Sequence, residues 1–61
     1  MRSMKERVQE YLQTHKKPVT IKQLAKYFIA SDSGIYRAIK ELDAEGKIST
    51  INGKPLKYVI R

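Results

Sequence analysis

Apolar residues recur along this chain with two periods, and the change from one to the other divides it into helices followed by a hairpin. Ile21, Leu24, Ala25 and Phe28 fall at i, i+3, i+4 and i+7, and Ile35, Ala38, Ile39 and Leu42 form a second stripe of the same helical period. Such a stripe lies on one side of a helix, so each helix has one face to bury. Met4, Val8, Tyr11 and Leu12, at i, i+4, i+7 and i+8, define a third face nearer the N-terminus. Beyond Lys47 the period shortens. Ile48–Ile51 and Leu56–Ile60 are β-rich runs, and in the second Leu56, Tyr58 and Ile60 alternate with Lys57 and Val59, which lets one strand face cover the helices.

The residues between the stripes set the boundaries. Ser3 with Glu6 three positions later predicts a capping box at the start of the first helix. Lys16 and Lys17 suit the negative end of that helix and Pro18 prevents its continuation, so it should stop near His15 or Lys16. Thr20 and Gln23 predict a second capping box, starting a helix at Ile21, with Val19 and Leu24 as a hydrophobic staple. Ser31 is the next N-cap and Gly46 occupies a left-handed C′ position, giving a third helix from about Asp32 to Glu45. Ile29, Ala30 and Ser31 alone separate these helices, a connection short enough to make them cross steeply. Val19 is expected to form a very short strand against the hairpin. Asn52-Gly53 signals the hairpin turn because both residues accept positive φ, and Pro55 suits a strand's beginning or edge.

Thr20-Ile21-Lys22-Gln23-Leu24-Ala25, Ser31, Ile35-Tyr36-Arg37-Ala38-Ile39-Lys40-Glu41-Leu42, Glu45-Gly46-Lys47-Ile48 and the following hairpin together resemble the winged helix-turn-helix DNA-binding domains, over nearly the whole chain. The resemblance, to small bacterial, phage and plasmid transcriptional regulators, implies a mainly α fold with a small β-hairpin (α+β). Its order would be helix, short strand, helix, helix, strand, wing, strand, as one domain over residues 1–61. It also implies that the helix over residues 32–45 enters the major groove while the 52–57 wing lies on adjacent backbone. Many relatives hold glycine at the start of the turn, where this chain has Ile29. A β-branched residue tolerates positive φ poorly, so the turn either avoids that conformation or carries strain.

Composition narrows the picture. A chain of 61 residues is one small domain with a thin core, since about 60% of the unfolded surface is buried at this size. No cysteine is present, which excludes disulfides and thiolate zinc sites and suits a reducing cytoplasm. No apolar run approaches the roughly 20 residues of a membrane span, so a soluble, cytoplasmic protein is expected, nucleoid-associated if bacterial. Thirteen Lys and Arg against six Asp and Glu give a formal charge of +7. That excess serves solubility or attracts polyanions, and the pattern of elements favours nucleic acid.

With Ile35, Ile39 and Leu42 turned inward, Asp32, Ser33, Tyr36, Arg37 and Lys40 face outward on the third helix. Arg37 can grip guanine or phosphate with two bonds, the Ser31 and Ser33 hydroxyls can donate to phosphate, and Tyr36 can pack on sugar or a thymine methyl or lay its ring over the first helix. Asp32 opposes phosphate but favours the helix N-terminus and can accept from a cytosine amino group. Gly34 either lets DNA approach the backbone or eases contact between helices. By the resemblance Thr20 and Lys22 meet phosphates, and Lys54 at the wing tip and Lys57 beside it meet phosphate or a minor-groove edge; a solvated face is the alternative for each. Glu41, Asp43 and Glu45 form an acidic patch expected to point away from the duplex. His15 reads as a surface residue at a helix end, since a metal site needs three or four ligands and no cysteine or second histidine exists.

A DNA-binding transcriptional regulator is therefore expected, its partner double-stranded DNA. A domain this small normally needs a homodimer or a partner protein on DNA. Two alternatives belong to the same fold. An assembly adaptor would use exposed apolar residues, and a left-handed-DNA binder is suggested by Gly53-Lys54-Pro55-Leu56 but opposed by Tyr36 and Lys40, where such proteins carry asparagine and tyrosine. No carboxylate pair, activated nucleophile, phosphate loop or metal cluster is evident, so no enzyme activity, cofactor or small-molecule ligand is expected.

Overall fold

Side chains begin each helix by satisfying its first backbone donors, and left-handed residues end it. In the computed structural model, which describes residues 3–61, the helices are α1 (Met4–His15), α2 (Ile21–Phe28) and α3 (Asp32–Ala44). The Ser3 hydroxyl accepts from the Glu6 N–H, and the Ser31 hydroxyl from the Gly34 N–H at 3.1 Å. At α2 the box closes in both directions: the Gln23 N–H donates to Thr20 Oγ1 at 3.1 Å and the Thr20 N–H donates to Gln23 Oε1 at 2.9 Å. The α3 end is a Schellman motif, with Gly46 at φ 71, its N–H on the Asp43 carbonyl and the Lys47 N–H on that of Leu42. That helix stops at Ala44, one residue before the expected Glu45.

The same paired bonds end α2, from Ile29 to Lys26 and from Ala30 to Ala25, but the left-handed position is held by Ile29 at φ 52. Of the two alternatives for this turn, the strained one is adopted.

The three stripes converge on one core. Val8 and Leu12 of α1, Leu24 and Ala25 of α2, and Ile35, Ala38, Ile39 and Leu42 of α3 are buried with Val19, Ile48 and Tyr58, and no polar side chain joins them among the described residues. Met4, Tyr11, Ile21 and Phe28 pack at the margin. Among the described residues, no helix is long and apolar enough to cross a membrane.

Strands β1 (Ile48–Ile51) and β2 (Lys57–Ile60) pair antiparallel in the register Ile48 to Ile60 and Ile51 to Lys57. Val19 meets Tyr58 through two backbone bonds, at 2.9 and 2.7 Å, as an isolated bridge and not the expected short strand. Pro18 before it has no N–H to donate and α2 begins at Ile21, which leaves no length of chain for a ladder. The wing also departs from expectation. Neither Asn52 nor Gly53 takes a left-handed φ, and Leu56 belongs to the loop. A two-residue turn at Asn52-Gly53 would pair Ile51 with Lys54, bringing Pro55 into the ladder and Lys57 opposite the buried Ile48. The longer loop instead puts Ile60 opposite Ile48 and buries Tyr58, so burial overrides local turn preference.

Candidate nucleic-acid interface

Burying Ile35, Ile39 and Leu42 leaves Asp32, Ser33, Tyr36, Arg37 and Lys40 exposed on one side of α3. The fold then sets the first turns of that helix beside the start of α2 and the wing. An open groove of about 510 Å³ lies among them, lined by Thr20, Ile21 and Lys22, by Asp32, Ser33 and Tyr36, and by Pro55, Leu56 and Tyr58. Tyr36 is 49% exposed and Leu56 44% exposed, so the wing flanks the helix face without covering it.

The groove thus gathers Thr20, Lys22, Asp32, Ser33 and Tyr36 from the residues singled out in sequence. Tyr36 lines this groove together with Pro55 and Leu56 of the wing, and the Lys40 ammonium stands 5.8 Å from its ring centre, within range of a cation–π contact. Arg37 and Lys40 lie exposed on α3 outside the groove lining, and Lys54 and Lys57 lie exposed on the wing and β2. Ser31 is an exposed cap whose oxygen is already bonded to the α3 backbone. At Gly34 an added Cβ would meet Ser31 Oγ at 3.3 Å, with no atom of another helix within 4 Å. Easier contact between helices is therefore not the reason for this glycine.

Ile21, Pro55, Leu56 and Tyr58 were missed as groove residues. The strand alternation assigned Leu56 to the core side, and only the longer wing loop frees it.

The acidic end of α3 is partly neutralised. Glu45 accepts from Lys5 of α1 at 2.6 Å and lies 3.3 Å from the Lys47 ammonium. The bond from Lys5, reinforced by Lys47, holds the Glu45 carboxyl below the usual carboxylate range and raises Lys5 above the usual lysine value. His15 packs on Tyr11 with ring centres 4.2 Å apart and planes tilted by 40°, and among the described residues no group of three His, Asp or Glu could hold a metal.

Three helices, the last two joined by a three-residue turn, followed by a two-stranded wing beside the exposed face of α3, define a winged helix-turn-helix, a DNA-binding fold. The chain belongs to the HTH domain family, whose pattern it matches over residues 5–59. Searches of curated proteins and of solved structures give no match.

Proposed function

We propose that this chain is a transcriptional regulator that seats the helix over residues 32–45 in the major groove of double-stranded DNA and lays the 52–57 wing along adjacent backbone. The observation that carries the reading is the open groove joining the starts of α2 and α3 to the wing. Its polar rim supplies Thr20, Lys22 and Ser33 for phosphate, and its apolar wall supplies Tyr36 and Leu56 for sugar or a thymine methyl. Arg37 and Lys40, exposed next to it, are placed to read base edges, Asp32 accepts from a cytosine amino group, and Lys54 and Lys57 extend the positive surface along the wing. Gly34 and the capping Ser31 keep the start of α3 slim enough for the duplex to approach.

The test is binding to duplex DNA across a salt series. Affinity for random sequence should fall steeply as salt rises, each phosphate contact contributing about 0.9 to the log–log slope. Lys54→Ala should weaken all duplexes alike and flatten that slope by about one unit, whereas Arg37→Ala should remove about 1–3 kcal/mol of discrimination among sequences. An adaptor for other proteins would bind duplex weakly even at low salt, and that outcome would end the proposal.

A further inference from the structure

The far end of α2 carries a second surface that DNA contact does not use. Tyr27 is 59% exposed, yet its ring stands 4.4 Å from that of Tyr11 and 4.8 Å, edge on, from that of Phe28. The Arg7 guanidinium lies 5.2 Å over Phe28, and an open groove of about 520 Å³ runs between α1 and α2 along these rings. The buried face of α2 is already complete with Leu24 and Ala25, so an aromatic at position 27 is not required by the core. At 1.5 Å per residue the site lies about 9 Å along α2 from Ile21 in the DNA-facing groove, and the two grooves share no residue.

We propose that a second copy of this chain docks here, groove against groove, so that two domains sit together on DNA; the proposal rests on the DNA-binding reading above. Charge selects this occupant. A formal +7 makes two copies repel over most of their surfaces, but in this groove the charges of Arg7 and Glu10 offset one another. Both residues lie on α1 almost one turn apart, so a two-fold contact between antiparallel α1 helices sets a lining of no net formal charge against its own copy. Area sets the strength. A stable interface takes about 800 Å² per partner, roughly a sixth of the 4485 Å² this chain exposes, more than so few side chains offer. Pairing is therefore weak in free solution and becomes populated when DNA holds two copies close, at an effective concentration of order millimolar.

The chain has no cysteine, so single cysteines report the contact cleanly. Thr14→Cys, in the groove, and Asp43→Cys, exposed at the other end of α3, would be treated with a flexible bis-maleimide with and without random duplex DNA. The expected result is a covalent dimer several-fold more abundant for Thr14→Cys, enriched by DNA, and returned to the Asp43→Cys level by adding Tyr27→Ser. Without DNA the yield should rise with salt as repulsion is screened, opposite in sign to DNA binding. Equal yields at the two positions, or no effect of Tyr27→Ser, would overturn the proposal. Loss of single-copy duplex affinity in Tyr27→Ser would also overturn it, by placing nucleic acid in the groove. Failure of the wild-type chain to bind duplex at low salt would instead remove the DNA reading, and the cross-linking yield without DNA would then decide self-association by itself.

Discussion

Ile29 shows what one residue contributes to a turn. Its side chain is 93% exposed and its backbone is left-handed, so the chain meets the steric penalty of a β-branched residue at positive φ without recovering it through burial. Such strain is about 1–3 kcal/mol. Ile29→Gly removes it, and although glycine also loosens the unfolded chain, the net effect should be a gain of about 0.5–1 kcal/mol, seen as a thermal midpoint higher by roughly 2–8 °C. An unchanged or lower midpoint would show that the strain does not exceed the entropy that glycine adds to the unfolded chain. The sequence marked this position by the residue type it lacks. Whether the backbone became left-handed there was decided by the three-residue connection between two buried stripes.

Among the elements, α2 depends most on its cap, being only 8 residues long. Thr20 caps it through the Gln23 N–H and also lines the DNA-facing groove, and two readouts of the same substitutions, unfolding and DNA affinity, separate these roles. Thr20→Ala should destabilise the fold by about 1 kcal/mol in urea unfolding, while Thr20→Ser should keep stability because its hydroxyl still accepts the bond. If Thr20 also meets phosphate, Thr20→Ser keeps DNA affinity and Thr20→Ala lowers it at temperatures where both remain folded. The helices were legible because caps and stripes act within a few residues. In the hairpin, Asn52-Gly53 was a sound local signal overruled by the need to set Ile60, and not a lysine, across from Ile48.

Across the whole molecule, Glu45 joins the start of α1 to the end of α3 through Lys5 and holds Lys47 beside them. Because the folded Glu45 carboxyl lies below its unfolded value, its contribution is present above the unfolded carboxylate range and is lost as pH falls through the depressed folded value. Lys5 is raised, so the same interaction is complete below the ordinary lysine value and is lost as pH rises through the raised one. The groups lie at the surface and salt screens them, so the effect is small. Glu45→Gln should lower the urea midpoint slightly at neutral pH and approach wild type in acid, once pH falls below the depressed folded value and the carboxylate is protonated in both states. A difference that persists in acid would assign the effect to packing.

Local chemistry written in the sequence determined where helices start and stop, which faces are buried, and that the chain carries a helix-turn-helix with a hairpin, because those features arise from neighbours a few positions apart. Tertiary structure alone decided the register of the hairpin, the exposure of Leu56, and which outward residues share a groove. Each of these depends on segments distant in sequence being fitted to one core, where the burial of Ile48, Tyr58 and Leu42 outweighs any single local preference.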